Sequence, residues 1–497
     1  MRPNLIVIVM DCVRHSDFLT EGTSERYLPF ATQLGKECVR YDRAVSPATW
    51  TVPSHASLFT SRYPWEHGTY ARAKLRLDPG LPTLASHLGG MGYATLSLSA
   101  NFLISSHIGL TNGFETATWG GWWEPYLRIP ERFTRNRNRL LPPGKGWPMK
   151  QLPKTPLWTV LQNASATFFR FQSPLDLLQR VTTRLKGEGT AEDTKVAPWL
   201  EPTLQGWLDK RPADQPMFAF LNLLDAHEPY YSTPELFNGL WNWLRYARIR
   251  QDKFGWAEGK WRVQDEDLEV LHQLYRHAIQ ILDRRLERIV RLLKDHDRWD
   301  NSIVVVTSDH GQQFGEFGGL FHVSGISESL VRIPFLVHYP GGANGGGVDR
   351  RWVSLLDIAP TVCELIESPH PLPSSGASLL PKVEGLRPLP VLSFSDGVGS
   401  LRRTSRGRPL TPGSDQFRLA AYQGDWKVVV DPSGKHPPKA FDVVHDPEEK
   451  TERWADEQSL LQPFVDSLQG VTSVLQKGDG ELLENDVQMR LKTWGYV

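Results

Sequence analysis

An aspartate and a histidine stand side by side in Asp309-His310-Gly311, directly after the apolar run Ile303–Thr307 and Ser308. A carboxylate and an imidazole together at a strand end can both ligate a divalent cation. Taken alone, such a tripeptide is common. Asp11 ends a second apolar run, Leu5-Ile6-Val7-Ile8-Val9-Met10, in the same way. Asp225 and His227 end a third, Met217–Leu224. Reactive groups in open α/β sheets collect outside the carboxyl ends of the strands. Polar residues also simply begin loops, which suits one such site better than three at once. Asp11, Asp309 and His310 are therefore the first candidates for a metal site.

The segment around Thr51 supplies a nucleophile. Pro53-Ser54-His55-Ala56-Ser57-Leu58-Phe59-Thr60 is regular enough to start a helix, and a proline suits its first turn. Thr51 is then expected just before the helix N-terminus, where orphan N–H groups and the helix dipole favour an anion and an ionised alkoxide. A metal on its oxygen would lower the hydroxyl pKa further. The plainer reading of Thr51 is a helix N-cap. His55 has a plain reading too, as a group that satisfies the same helix terminus. Arg62 is expected to be structural and Trp50 a packing residue.

The elements needed to position these groups are legible. Strands are expected at 5–10, 93–100, 217–224 and 303–307, with weaker ones at 332–338 and 419–422. Apolar residues recur at Leu271, Leu274, Ala278, Leu282, Leu286, Ile289 and Leu293, the stripe of one long helix over about 268–293. Short strands alternating with helices predict an α/β fold, a large mixed, mostly parallel sheet sandwiched by helices. The 497 residues suggest one large domain with a smaller companion. We place the catalytic α/β domain at 1–366, a Gly/Pro/Ser-rich linker at 367–387 and a C-terminal α+β subdomain at 388–497.

Basic and acidic side chains balance at 56 each, so global charge names no polyanionic partner and gives no reason to expect nucleic acid. The exception is local. Residues 118–200 are rich in Trp, Pro and Arg, and positions 118–186 hold twelve basic residues against three acidic ones. That stretch reads either as a lid recruiting an anionic substrate or touching an acidic membrane surface, or as a solvated insertion. Three cysteines, Cys12, Cys38 and Cys363, make a poor disulfide framework. The opening apolar run is too short for a membrane span and has no cleavage region, and no later segment reaches the ~20 apolar residues a span needs. A cytoplasmic protein without a transmembrane anchor is expected. Oligomeric state is not legible.

Longer matches now carry a resemblance. Pro3–Asp11, Thr51–Pro64, Leu224–Tyr230, Val306–Gly311, His322 through Arg332-Ile333-Pro334, Asp357–Thr361, Gly424–Lys427 and Asp442–Glu448 follow the order of motifs in the sulfatase branch of the alkaline-phosphatase superfamily. The sequence is similar to that family over nearly its whole length. It also departs from it. Sulfatases carry a Cys or Ser, oxidised to formylglycine, where this chain has Thr51, and the extra methyl of threonine blocks the same route to the aldehyde. The second acid of the opening pair is Cys12, the arginine after Pro-Ser is His55, and the Gly-Lys-Trp element is replaced by Ser99-Ala100-Asn101-Phe102.

Related branches use threonine to move phosphoryl groups, among them nucleotide phosphodiesterases, phosphonoacetate hydrolases and phosphoethanolamine transferases. The resemblance implies one divalent ion, Zn²⁺ or Mn²⁺ first and Ca²⁺ or Mg²⁺ next, on Asp11, Thr51, Asp309 and His310. A second ion on His227 and His322 is left open. His227 and His322 are the candidate catalytic partners of Thr51; His55, Asn101 and His227 are the candidate substrate contacts. The expected activity is hydrolysis of anionic phosphate mono- or diesters through a covalent intermediate. The alternatives are sulfate ester hydrolysis without formylglycine, phosphoryl transfer, and an inactive binding protein of this fold.

Overall fold

Leu5 to Met10 are all buried, and their side chains alternate between two separate cores. Ile6, Ile8 and Met10 pack with Leu271, Leu282 and Leu286 of the long helix. Leu5, Val7 and Val9 pack with Val52, Leu58 and Phe59 of the helix that begins at Thr51. A strand shows successive side chains to opposite faces, so a continuous apolar run is what a sheet covered by helices on both faces requires.

A computed structural model describes residues 2–18, 27–70, 75–120, 196–230, 251, 256, 262–322, 325–380, 390–396 and 418–477. The strands are β1 (Asn4–Met10), β2 (Val39–Val45), β3 (Ala94–Ser99), β4 (Thr116–Trp119), β5 (Met217–Leu223), β6 (Ser302–Thr307), β7 (Gln313–Phe314), β8 (Leu320–Phe321), β9 (Phe335–His338), β10 (Val348–Ser354), β11 (Val391–Ser395), β12 (Arg418–Gln423), β13 (Trp426–Val430) and β14 (Lys439–Asp442). Eight form the large sheet in the order β10-β2-β9-β6-β1-β5-β3-β4. All its neighbours run parallel except β9, which is antiparallel to β2 and β6. The expected mixed, mostly parallel sheet is therefore present. The carboxyl ends of β1, β3, β5 and β6 point the same way and lie together in the middle of the sheet.

The long helix spans Asp265–Asp295 and buries the predicted stripe. Strands β2 and β10 escaped the sequence reading because their charged residues break the apolar pattern. β10 is an edge strand, and charge there is a usual guard against further pairing. A separate four-stranded antiparallel sheet, β11-β12-β13-β14, forms the smaller C-terminal sheet. It docks on the large one through a bridge between Ala48 and Phe394 and through buried Lys427, which meets Glu328 at 3.1 Å and Glu449 at 2.8 Å. The basic stretch 118–200 falls, from 121 to 195, outside the described residues.

The Thr51–Thr60 helix is locked from below by His67. Its Nδ1 accepts from the Thr69 amide at 3.0 Å, so Nε2 carries the proton and donates to Ser57 Oγ at 3.0 Å. Burial pushes the His67 pKa down to about 3. Below the unfolded value of about 6.5 the unfolded chain takes up a proton that the folded one refuses, so stability falls as pH drops. Between pH 7 and pH 5 this group alone is expected to cost about 2 kcal/mol. Denaturant unfolding at the two pH values, with His67→Gln flattening the dependence, checks this.

Candidate active site

Most of the chemistry-bearing residues follow a strand of the large sheet or lie in the helix above it, and His322 follows β8 of the short β7–β8 pair. Asp11 follows β1, Asn101 follows β3, Asp225 and His227 follow β5, and Asp309 and His310 follow β6. Asp11, Asp309 and His310 are completely buried and converge. His310 Nε2 lies 3.4 Å from Asp309 Oδ2 and 4.0 Å from Asp11 Oδ1. Its Nδ1 donates to the Gly311 carbonyl at 2.9 Å, which leaves Nε2 as the lone-pair nitrogen facing both acids.

The two carboxylates are unequal. Burial opposes a charge on Asp11, but His227, His310 and the Asn101 hydrogen bond hold its pKa below the usual value. Burial, with the charge of Asp11 added, pushes Asp309 well above it. Two buried acids that repel each other in this way do not both ionise without a compensating positive charge. Asp309 Oδ2 is buried without a hydrogen-bond partner among the described residues. A divalent cation fits this need.

Thr51 is the first residue of its helix, with Trp50 as the N-cap. This corrects the expectation that Thr51 precedes the helix, and it removes the capping role: no side-chain cap bond is present at that terminus. The helix start is fixed against the Asp309 loop. Ser54 Oγ donates to the Asp309 carbonyl at 2.7 Å, Ser46 Oγ donates to the same oxygen, and His55 Nδ1 stands 3.6 Å from Asp309 Oδ2. On the other side the Trp50 indole N–H meets the Asp396 carboxylate at 3.1 Å, so the C-terminal sheet steadies the residue before Thr51.

Two expected substrate contacts also bond to the protein itself. Asn101 donates to Asp11 Oδ2 at 3.0 Å and accepts from the Leu103 amide at 3.0 Å, so both ends of its amide serve the protein. It braces the Asp11 carboxylate. His55 donates from Nδ1 to the Thr51 carbonyl at 2.8 Å and lies edge-on to Phe220. Burial takes its pKa down to about 4, so at neutral pH it is uncharged and brings no cation to an anionic substrate.

His227 and His322 do come together, with ring centroids 5.0 Å apart. His227 sits on a loop anchored by fully buried Arg285, which grips Asp225 Oδ2 at 2.9 Å, Glu201, and the Val196 and Ala197 carbonyls at 2.8 Å. Arg285→Met leaves Asp225 buried without its counter-charge, and a loss of about 3–5 kcal/mol is expected from thermal or denaturant unfolding.

Similarity to known proteins fits this geometry. The profile of the family described as Sulfatase matches residues 3–368. This chain belongs to the sulfatase family. The multifunctional alkaline phosphatase superfamily protein PehA of Trinickia caryophylli is 28% identical over 206 residues, 39% of each chain. The choline-sulfatase of Rhizobium meliloti (strain 1021) is 23% identical across 94% of this chain and 86% of its own. The first curated relatives are matched over only part of their length, 39%, 16% and 31%. Among solved structures, the phosphonate monoester hydrolase of Agrobacterium radiobacter superposes with a TM-score of 0.63 at 19% identity, covering 96% of both chains. That likeness is one of fold.

In this sulfatase-family site the sequence reading missed Glu228 and Gln312 and treated Cys12 only as a lost acid. Gln312 Nε2 donates to Glu228 Oε2 at 2.8 Å, and its Oε1 accepts from His322 Nδ1 at 2.9 Å. Both polar residues lie within two positions of residues that were singled out, His227 and His310. Proximity to a metal-type pair was the available signal.

Proposed function

We propose that this chain is a metal-dependent hydrolase of phosphate mono- or diesters that uses Thr51 as nucleophile. The observation that carries the reading is the closure of the Asp11–Asp309–His310 cluster against the helix that starts at Thr51. Asp11, Asp309, His310 and the Thr51 hydroxyl would hold the ion, which lowers the pKa of that hydroxyl and offsets charge on the ester oxygens. Thr51 Oγ gives its proton to solvent water and attacks phosphorus; the Oγ–P bond forms as the ester P–O bond breaks. His227 or His322 gives its proton to the departing oxygen, and the pair faces the charge on the non-bridging oxygens. Water then attacks phosphorus, the now neutral histidine takes the proton of that water, and the Thr51–phosphorus bond breaks, its oxygen regaining a proton from solvent water to restore the hydroxyl.

The family name and the choline-sulfatase relative favour a second reading, hydrolysis of a sulfate ester without formylglycine. Thr51 lacks the chemistry for the aldehyde, and this favours phosphorus. Transfer to an acceptor alcohol instead of water is the third reading, and an inactive binding protein the fourth. A cytoplasmic setting is proposed because Cys12, Cys38 and Cys363 are buried and form no disulfide. The basic stretch 118–186 is proposed to gather the anionic substrate or touch a membrane surface; among the described residues no helix is long and apolar enough to cross one.

Turnover of a bis-aryl phosphodiester, an aryl phosphate and an aryl sulfate by Zn²⁺- and Mn²⁺-loaded protein separates these readings. Phosphoester turnover supports the proposal. Turnover of the sulfate ester alone replaces it with the second reading, and no turnover of any ester supports the binding protein.

A further inference from the structure

Beside the Asp11–Asp309–His310 cluster lies a second group of potential ligands. Cys12, His227, Glu228 and His322 are all buried, and each offers a ligand atom within 4.8 Å of the other three. We propose that these four residues form a second cation site, one whose thiolate selects a thiophilic divalent ion such as Zn²⁺. The inference rests on the metal-dependent reading of the neighbouring cluster.

Distances carry the argument. Ligand atoms about 2.0–2.3 Å from a tetrahedral zinc stand about 3.3–3.7 Å from one another. Cys12 Sγ lies 3.6 Å from His322 Nδ1, and His322 Nδ1 lies 3.6 Å from Glu228 Oε2. Those are edges of a tetrahedron of the right size. Two imidazoles, a carboxylate and a thiolate are a donor set for zinc and a poor one for Mg²⁺ or Ca²⁺, which prefer oxygen alone.

The surroundings are arranged as ligands require. His227 Nδ1 donates to the Glu228 carbonyl at 2.6 Å, which leaves Nε2 with the lone pair. Gln312 Nε2 orients the Glu228 carboxylate at 2.8 Å. The His322 Nδ1 proton rests on Gln312 Oε1, and ligation at Nδ1 moves that proton to Nε2. Cys12 and Phe321, the residue before His322, both hold left-handed backbone, φ 66° and 59°. That conformation costs a non-glycine residue about 1–2 kcal/mol, and observed outliers of this kind cluster at functional sites. Cys12 is held there by its own amide on Asp309 Oδ1 at 3.3 Å and by the Tyr275 hydroxyl on its carbonyl at 2.9 Å. The same turn brings Cys12 Sγ within 3.2 Å of Asp11 Oδ1, so the thiol stands between the two clusters. Were the second site occupied, its ion would offset charge on the ester oxygens, and His227 and His322, then ligands, would leave protonation of the departing oxygen to water.

Demetallated full-length protein, kept reduced and titrated with Co²⁺, tests the site by absorption and by metal analysis, independently of turnover. Two bound ions and a thiolate-to-cobalt charge-transfer band are expected. Cys12→Ser should lose the band. His322→Ala should bind one ion fewer. Asp309→Asn should lose the other ion and keep the band. Circular dichroism matched to wild type shows that each variant is folded. One ion without a thiolate band overturns the second site and leaves the metal-dependent reading standing; no bound ion overturns both.

Discussion

Thr51→Ala is expected to lower phosphoester turnover on the order of 10⁴-fold or more, because no other group can take the place of an attacking oxygen. That corresponds to about 5 kcal/mol or more of barrier. Folding should barely change. Thr51 makes no capping bond, it sits at the first helical position, and alanine is the better helix former. Its removal creates a small cavity at a buried position, so a stability change within about 1–2 kcal/mol is expected. Thr51→Ser, which keeps the oxygen and drops the methyl, should retain turnover. Steady-state kinetics with thermal melts check both parts. An alanine variant within tenfold of wild type removes Thr51 from the mechanism.

Asp309→Asn has the second largest expected effect, and its sign depends on the metal. Asparagine keeps the oxygen that accepts from the Cys12 and His310 amides at 3.3 and 3.0 Å. It loses the second carboxylate oxygen, the buried one without a hydrogen bond among the described residues. Without metal the variant is relieved of a buried carboxyl beside Asp11, so it should match or exceed wild type in melting temperature. With metal the order reverses. Wild type in a hundredfold excess of metal over its Kd gains about 2.7 kcal/mol, and the variant gains far less. Turnover should fall on the order of 10³-fold, the several kcal/mol that a bound ion contributes. Melting curves with chelator and with Zn²⁺ give both halves. Equal metal stabilisation of the two proteins would remove Asp309 from the ligand set.

How much of this was legible depends on whether a signal is local. The run from Leu5 to Met10 is apolar on both faces because helices cover both faces, and that is visible residue by residue. The Asp265–Asp295 helix declares itself through its stripe. Asp11, Asp309 and His310 could be singled out because each ends such an element. Strand β10 could not, since Arg350 and Arg351 sit on an exposed edge where charge is tolerated. The ligand set around Cys12 was hidden for another reason. Cys12, Glu228 and His322 are far apart in sequence, and the parallel register of β1, β5 and β6, with the β7–β8 pair that precedes His322, brings them together. Neutral His55 and the Asn101 amide turned onto Asp11 were likewise set by burial and tertiary partners that no residue pattern displays. Both bond to groups of the cluster or of its helix in the fold, whereas the family resemblance had pointed them to substrate.

The most direct measurement is to quench the metal-loaded enzyme in acid during turnover of a slow aryl phosphodiester and map the covalent adduct by peptide mass spectrometry. A phosphoryl group on Thr51, absent from Thr51→Ala, is expected. A phosphoryl group on another residue, or steady turnover by the alanine variant with no adduct on either protein, would contradict the proposed mechanism.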